Sequence, residues 1–136
     1  MKEPIVEVVC AIIEHKGRIL VVRRKKGEKM EGLWEFPGGK IKENENFLSS
    51  ITREIKEELG IIIEPVHQVN TVMHEYSDFT IKLIPFRCII KEGVVKLKVH
   101  DRMKWILPSY LSRINWCNAD KLVTNEIMNI YKLRGK

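Results

Sequence analysis

The spacing of apolar residues predicts strands in the first part of the chain. Residues 5–13 are mostly β-branched, and a Lys16-Gly17 turn signal separates them from a second apolar stretch at residues 18–24. A polar loop then leads to a short apolar stretch at residues 33–36, which Pro37-Gly38-Gly39 ends. We therefore expect two strands joined by a turn, followed by a third, short strand.

The pattern becomes helical near residue 44. Between residues 44 and 59 the apolar side chains recur at steps of three and four, which is the spacing of one helix face. They are Phe47, Leu48, Ile51, Ile55 and Leu59. Gly60 follows where a glycine commonly ends a helix, so the pattern predicts a helix over residues 44–59.

Strand-like stretches return after Gly60, and a second helix follows them. β-Branched and apolar residues dominate residues 61–76, 79–90 and 94–99, and residues 105–107 are a further candidate strand. Helical spacing places the apolar residues of 119–133 on one face. This order of elements predicts an α+β fold, a mixed β-sheet flanked by helices on both faces.

Composition limits the class of protein. A chain of 136 residues, 44% hydrophobic and 31% charged, is expected to form one domain over residues 1–136. Its longest apolar run, residues 8–13, is too short for a membrane span or a secretory signal, so we expect a cytoplasmic protein. Three widely spaced cysteines predict reduced thiols, and a net charge of +6 favours anionic partners.

The end of the first predicted helix carries three carboxylates in an unfavourable position. Glu54, Glu57 and Glu58 are spaced as i,i+3 and i,i+4 pairs, so they repel one another on one side of the helix. They also lie in the last turn, where the helix dipole favours cations. Arg53 can reach Glu57, but one arginine does not neutralise three carboxylates.

Glu58 is the least favourably placed of the three. It falls between Phe47 and Ile51 on the helical wheel, at the edge of the apolar face, so we expect it to be partly buried. An unpaired buried carboxylate is costly, and a hard divalent cation, Mg²⁺ or Mn²⁺, would remove that cost. A backbone carbonyl of the Pro37-Gly38-Gly39 turn could add a ligand. The alternative is a solvated acidic face.

These residues resemble the signature of the Nudix hydrolases, Gx5Ex7REUxEExGU, where U is an aliphatic residue. The match runs over residues 39–61 without a departure. It consists of Gly39, Glu45, Arg53-Glu54-Ile55, Glu57-Glu58 and Gly60-Ile61. Likeness to the MutT-like subgroup, which includes 8-oxo-dGTP and CTP pyrophosphohydrolases, extends further. It lies in Arg23-Arg24, in residues 34–40, and in Trp116 with Ala119-Asp120.

The resemblance implies a Nudix α/β/α sandwich that hydrolyses nucleoside triphosphates to the monophosphate and pyrophosphate. MutT-like members act on oxidised purine nucleotides such as 8-oxo-dGTP, or on cytidine nucleotides, and they need Mg²⁺ or Mn²⁺. By matching position, Glu54, Glu57, Glu58 and the Gly38 carbonyl would hold the metal. Arg53 would complete the catalytic group by orienting Glu57 or a neighbouring acid.

Five residues outside the metal cluster are predicted to bind the substrate. They are Arg23, Glu35, Phe36, Lys40 and Asp120. Arg23 and Lys40 would bind phosphate, and a solvated basic side chain is the alternative for each. Asp120 would accept hydrogen bonds from a base, which favours cytidine nucleotides, or it is an acid in the first turn of a helix that Asn118 caps.

Other positions leave alternatives open. Glu45 belongs to the signature, yet an acid is favoured in a first helical turn, so we expect a structural role. MutT-like relatives often carry a Glu-His pair before the last strand, and this chain has Val99-His100 there. The glutamate is missing, and Asp101 or His100 could act in its place. Trp34, Trp105 and Trp116 are expected in the core or in a pocket wall.

Two other functions stay open from the sequence. The chain could cleave another phosphoanhydride, such as ADP-ribose or a dinucleoside polyphosphate, or it could bind nucleotide or RNA with little turnover. We expect a nucleoside triphosphate as substrate, no membrane partner, no stable nucleic-acid complex, and a monomer or homodimer. Pyrophosphate release from a panel of nucleotides, with and without Mg²⁺, separates these functions.

Overall fold

The computed structural model describes the backbone of residues 4–134 and the side chains as far as residue 131. The two ends of the expected domain, residues 1–3 and 135–136, lie outside the described residues. The described strands are β1 (Ile5–His15), β2 (Arg18–Arg24), β3 (Trp34–Glu35), β4 (Gly38–Lys40), β5 (Ile62–Gln68), β6 (Val72–Glu75), β7 (Thr80–Glu92) and β8 (His100–Ile106). The helices are α1 (Phe47–Leu59), a 3₁₀ helix (Pro108–Arg113) and α2 (Asn118–Arg134).

Strands β1 and β7 form the centre of a mixed sheet and run parallel to each other. β1 also pairs antiparallel with β2 and β4, and β7 pairs antiparallel with β5 and β6. β2 carries β3 and β8 as further antiparallel neighbours. A mixed sheet of this kind, flanked by helices, confirms the α+β expectation.

Each face of the sheet is covered by one helix. Successive side chains of a strand point to opposite faces, so β1 contributes to two separate cores. Val9, Ala11 and Ile13 belong to the cluster that includes α1, whereas Cys10 and Ile12 belong to the cluster that includes α2. Burial on both faces explains why this stretch is apolar without interruption. Neither helix among the described residues is long and apolar enough to span a membrane.

The boundaries of α1 follow from its caps. Asn46 is extended, and its side chain accepts a hydrogen bond of 2.8 Å from the Ser49 N–H, so the helix begins at Phe47. Asn44, with φ of 65°, lies outside it, and the predicted start at residue 44 was wrong. Gly60 has φ of 70° and ends the helix, as its position predicts.

The segment at residues 94–99, predicted as a strand, is irregular, so that prediction was wrong. Its backbone groups bond to the end of α1 instead: the Lys96 N–H donates to the Leu59 carbonyl at 2.9 Å, and the Lys98 N–H donates to the Glu58 carbonyl at 3.1 Å. These donors satisfy carbonyls that the end of a helix leaves free. The segment therefore joins the carboxyl end of α1 to the start of β8.

Four further boundaries differ from the sequence prediction. The stretch at residues 61–76 forms two strands, β5 and β6, and the last strand spans residues 100–106 rather than 105–107. The glycines that were expected only to end a strand form β4, which pairs with β1. The second helix begins at Asn118, so this residue belongs to the first turn of α2 and does not precede it.

Candidate active site

A cleft of about 390 Å³ lies where β1, β3, β4, β8 and the amino end of α2 meet the carboxyl half of α1. Six of the ten catalytic, metal and substrate-binding residues predicted from the sequence line it. They are Glu35, Phe36, Gly38, Lys40, Glu58 and Asp120. Arg53, Glu54 and Glu57 lie next to it on α1, since the Arg53 Nη2 donates to the Lys40 carbonyl at 3.3 Å. The fold thus collects residues from distant parts of the chain around one opening.

Two glycines let β4 pass between β1 and the acids of α1. The Gly38 N–H donates a hydrogen bond of 3.2 Å to Glu58 Oε1, and a Cβ at this position would overlap the backbone of Val9. A Cβ at Gly39 would overlap the Glu54 carboxylate. Close approach of the backbone therefore requires glycine at position 38, whereas a side chain at position 39 would displace the Glu54 carboxylate.

Arg53 binds three carboxylates at once. Its Nη1 lies 2.8 Å from Glu54 Oε1 and 2.9 Å from Glu57 Oε1, so the predicted ion pair with Glu57 is present. Its Nε and Nη2 bind both oxygens of Glu45, at 2.6 and 2.9 Å. A planar guanidinium suits this two-sided arrangement, because its donors have fixed directions. Arg53 therefore holds two of the proposed metal ligands beside each other.

Glu45 has a different position from the one expected. It precedes α1, whose first turn contains no acid, so the prediction of a first-turn carboxylate was wrong. The Arg53 guanidinium and the Lys42 N–H, which donates to Glu45 at 2.9 Å, lower the pKa of Glu45 to about 2. Its contacts support the structural role that was expected, since it fixes the far side of Arg53.

Glu58 is half-buried, as the helical wheel predicts, and it is not among the acids that Arg53 binds. Burial, with Glu35 and Glu54 as nearby negative charges, raises the pKa of Glu58 to about 8. The Gly38 N–H and Arg24 oppose this shift only in part. A bound cation would favour the ionised form that the protein alone disfavours.

The acids of α1 fit a hard divalent cation by their chemistry. Glu54, Glu57 and Glu58 supply carboxylate oxygens, which Mg²⁺ and Mn²⁺ prefer, and Glu58 accepts its hydrogen bond from the Gly38 N–H rather than from a cation. A second group of possible ligand atoms comes from Glu35, Cys117 and Asp120, which lie within 4.8 Å of one another. Glu35 and Asp120 of this group line the cleft. Burial raises the pKa of the Cys117 thiol to about 12, so it stays neutral and is a poor ligand for a hard cation.

This second group is arranged for hydrogen bonding. Asp120 is 7% exposed and accepts a hydrogen bond of 2.9 Å from the Phe36 N–H. Burial, followed by the nearby charge of Glu35, raises the pKa of Asp120 well above its ordinary value. Asp120 lies in the first turn of α2 and also lines the cleft, so the two interpretations of this residue are compatible. Phe36 stacks on Trp116 with ring centroids 4.7 Å apart.

The tryptophans take core positions. Trp34 and Trp116 are each 7% exposed and belong to the cluster under α2, and Trp105 packs against the cluster under α1. Within residues 4–134 no tryptophan lines the cleft. Trp116 reaches it only indirectly, as the surface against which Phe36 packs.

Comparison with known proteins decides the family. A family model for the NUDIX domain matches residues 8–126, most of the chain. The chain belongs to the Nudix hydrolase family. Within this family, the chain is 35% identical to the CTP pyrophosphohydrolase of Escherichia coli (strain K12), over 76% of each protein. It is 31% identical to the 8-oxo-dGTP diphosphatase of Buchnera aphidicola subsp. Schizaphis graminum, over 90% of this chain and 93% of the relative.

The solved structures agree with this assignment. The solution structure of the E. coli ORF135 protein superposes on this Nudix hydrolase with a TM-score of 0.85 and 30% identity. The match covers 97% of this chain and 94% of the ORF135 protein. The expected MutT-like resemblance and the Nudix fold are thereby confirmed, and relatives of this hydrolase are named as diphosphatases that act on nucleotides.

Arg23, expected to bind phosphate, does not line the cleft of this Nudix hydrolase. Its guanidinium binds both oxygens of Asp101, at 2.8 and 3.0 Å, whereas the neighbouring Arg24 lines the cleft and reaches Glu35 at 3.3 Å. The alternation of β2 is the signal that separates them. Val22 faces α1 and pairs with Glu35, so Arg24, two residues on, continues the same face.

Neither Asp101 nor His100 has the position expected of a residue that acts in place of the missing glutamate. Val99 lines the cleft, but Asp101 is bound to Arg23, which holds the pKa of this carboxyl below its usual range. His100 is buried, with Nε2 bound to Glu35 at 2.8 Å and Nδ1 without a hydrogen-bond partner among the described residues. Such an orphaned nitrogen costs about 1–3 kcal/mol. Neither residue presents a free base to the cleft.

Proposed function

We propose that this Nudix hydrolase is a Mg²⁺-dependent nucleoside triphosphate pyrophosphohydrolase, in which Mn²⁺ can replace Mg²⁺. Water cleaves the triphosphate, and the products are the nucleoside monophosphate and pyrophosphate. The substrates are oxidised purine nucleotides such as 8-oxo-dGTP, or cytidine nucleotides, so the protein cleans the nucleotide pool. One observation supports this most directly: a single cleft is lined both by Glu58 of α1 and by Glu35 and Asp120.

Around the acids of α1, the chain's own residues form a site for a triphosphate. Glu54, Glu57, Glu58 and the Gly38 carbonyl would hold the divalent ion, and Arg53 keeps Glu54 and Glu57 in place. A bound ion neutralises phosphate charge and lowers the pKa of an attacking water. Lys40 lines the cleft beside these acids and is suited to bind a phosphate oxygen.

The carboxyl groups of Glu35 and Asp120 offer complementary hydrogen bonds to a base. Asp120, whose pKa is raised by burial, carries its proton more readily than an ordinary aspartate and can then both donate and accept. Glu35 accepts. A base edge with an amine next to a ring nitrogen, as in cytosine, fits such a pair, and so does the edge of an oxidised purine. Phe36 provides an apolar wall.

The remaining expectations belong to the same proposal. Residues 1–136 act as one Nudix domain in the cytoplasm, without a stable nucleic-acid partner, as a monomer or homodimer. Arg23 stays a weaker candidate for phosphate binding than Arg24, because Asp101 already occupies its guanidinium. The relatives named CTP pyrophosphohydrolase and 8-oxo-dGTP diphosphatase support the two substrate classes equally.

The experiment is a turnover panel with and without Mg²⁺. CTP, dCTP, 8-oxo-dGTP, dGTP, ADP-ribose and a dinucleoside tetraphosphate are compared for release of pyrophosphate or phosphate. We expect pyrophosphate from a nucleoside triphosphate, no release in EDTA, and recovery with Mn²⁺. Preferred cleavage of ADP-ribose or of the dinucleotide would contradict the proposed substrate class. Nucleotide binding without release would indicate a binding module. Hydrolysis in ¹⁸O-water locates the attacked phosphorus.

A further inference from the structure

His100, the first residue of β8, has a buried side chain with one side-chain partner among the described residues. Its imidazole is 4% exposed and lines the cleft, and its Nε2 lies 2.8 Å from Glu35 Oε2. Its Nδ1 is buried and has no hydrogen-bond partner among the described residues. Within the described part of the chain, the side chain of His100 is therefore bonded to Glu35 alone.

A histidine at this position is a poor choice for folding alone. Leucine would fill a similar space without leaving a buried polar nitrogen unpaired. What histidine supplies and leucine does not is the bond to Glu35. An ionised carboxylate only accepts hydrogen bonds, so with Glu35 ionised the proton lies on Nε2, and His100 is the donor.

The main chain that carries His100 is fixed on both sides. Two residues earlier, the Lys98 N–H donates to the Glu58 carbonyl at the end of α1. Across the sheet, His100 pairs with Arg24, and the Arg24 Nη1 approaches Glu35 at 3.3 Å from its own strand. The Glu35 carboxylate thus lies between two donors, and the shorter of the two bonds comes from His100.

We propose that His100 is a positioning residue for substrate selection: it fixes the Glu35 carboxylate so that Glu35 and Asp120 together receive an N–H donor of the nucleobase. This inference rests on the proposed function and deepens it. Ligand atoms of Glu35 and Asp120 lie within 4.8 Å of each other, which one planar base edge can span with two hydrogen bonds. Without the bond from His100, Glu35 can rotate toward Arg24 and the pair loses its spacing.

Two variants of His100 test this role in the full-length protein with Mg²⁺. His100→Leu removes both ring nitrogens, whereas His100→Gln keeps an N–H donor near the position of Nε2. We measure kcat and KM for CTP, UTP, dGTP and 8-oxo-dGTP. We expect His100→Leu to raise KM for the preferred nucleotide and to reduce its preference over the others about tenfold. The melting temperature should not fall, and His100→Gln should keep most of the preference.

The decisive experiment makes His100→Leu in a protein that already carries Glu35→Gln. If His100 acts through Glu35, His100→Leu causes no further loss of preference once Glu35 has been replaced. The matched control is His67→Leu, an exposed histidine on β5, which should change neither KM nor the preference. An unchanged preference in His100→Leu contradicts the proposal. So does an equal loss in both backgrounds, a loss of kcat for all four nucleotides alike, or a His100→Gln variant as impaired as His100→Leu.

A binding measurement separates this inference from the proposed function. Calorimetry with α,β-methylene analogues of the same nucleotides gives the preference without turnover. If the wild-type protein releases pyrophosphate from no nucleotide, the proposed function fails. The calorimetric preference then decides the role of His100 alone: a preference that His100→Leu reduces supports it, and an unchanged preference, or no binding by the wild type, overturns it.

Discussion

Two of the three acids of α1 are held by Arg53, whereas Glu35 and Asp120, which line the same cleft as Glu58, are held by a histidine, an arginine and a backbone N–H. The first group lies in an exposed to half-buried helical turn and repeats carboxylates at short intervals. The second group combines residues from β3 and α2, more than eighty positions apart, and buries Asp120 almost completely. The same functional group therefore has two environments within a single cleft.

The difference indicates two kinds of chemistry. Carboxylates that repel each other and meet one guanidinium are suited to a cation, because a cation relieves the repulsion. A buried carboxyl whose pKa is raised, as at Asp120, favours the neutral form and is suited to neutral hydrogen-bonding groups such as a base edge. Glu58 stands between the two groups, since it belongs to α1 but is half-buried, with a pKa raised to about 8.

Glu58→Gln is the strongest way to test this contrast. Glutamine keeps the size of the side chain and removes its charge, so we expect kcat at saturating Mg²⁺ to fall about 100-fold or more. Because the raised pKa disfavours ionised Glu58, the metal-free variant should melt no lower than the wild type. Steady-state kinetics and thermal melting check both results. Glu64→Gln, on the exposed face of β5, is the matched control and should leave kcat unchanged.

Asp120→Ala tests whether the Glu35–Asp120 pair selects the base. We expect the preference among nucleotides to fall about tenfold to 100-fold, because one hydrogen-bonding group to the base is lost. Alanine also leaves the Phe36 N–H without its acceptor, so Asp120→Asn is needed beside it. Asparagine restores that acceptor and a neutral donor, and it should lose less preference than alanine. Equal rates for all nucleotides in the wild type and in Asp120→Ala would remove this residue from base selection.

Arg53→Lys keeps the positive charge and removes the planar guanidinium, so it tests whether Arg53 positions the acids of α1. Lysine cannot bind Glu45, Glu54 and Glu57 in fixed directions, so we expect the Mg²⁺ concentration for half-maximal activity to rise about tenfold. Titration of activity with Mg²⁺ measures this. Arg102→Lys, an exposed arginine on β8, is the control. A lower kcat without any change in the Mg²⁺ requirement would indicate that Arg53 does not position the metal ligands.

The pH dependence of stability tests the raised pKa of Glu58 in the absence of metal and substrate. The pKa of Glu58 is raised from 4.5 to about 8 in the folded protein, so the folded state binds a proton that the unfolded state releases in this range. The stabilisation from protonated Glu58 is therefore lost as pH rises from about 5 to about 8 in EDTA. Denaturant unfolding should show a smaller loss in Glu58→Gln. Identical pH profiles for both proteins would contradict the raised pKa.

The local parts of the fold and site were predictable from the sequence. Helical spacing identified α1 and α2, and β-branched, apolar stretches divided by a turn signal identified the first two strands. The three acids of α1 were identified because they break several helix rules within one turn. Arg53 was expected to bind Glu57, and it does. Such features depend on residues that are close along the chain.

The parts that depend on distant residues were not predictable in this way. The segment at residues 94–99 has the composition of a strand, but its N–H groups find the carbonyls of Glu58 and Leu59 and need no strand partner. The bond between His100 and Glu35 joins residues 65 positions apart and leaves no mark on either local pattern. Arg24 is an intermediate case, since strand alternation distinguishes it from Arg23 once the face toward α1 is known.

Direct binding of Mn²⁺ is the measurement that tests the central claim most closely. Electron paramagnetic resonance counts free Mn²⁺ in titrations of the wild type, Glu58→Gln and Asp120→Ala. If the ion belongs to the acids of α1, Glu58→Gln should weaken Mn²⁺ binding about tenfold or more, and Asp120→Ala should leave it unchanged. Equal Mn²⁺ affinity in the wild type and Glu58→Gln, or a loss confined to Asp120→Ala, would contradict the account.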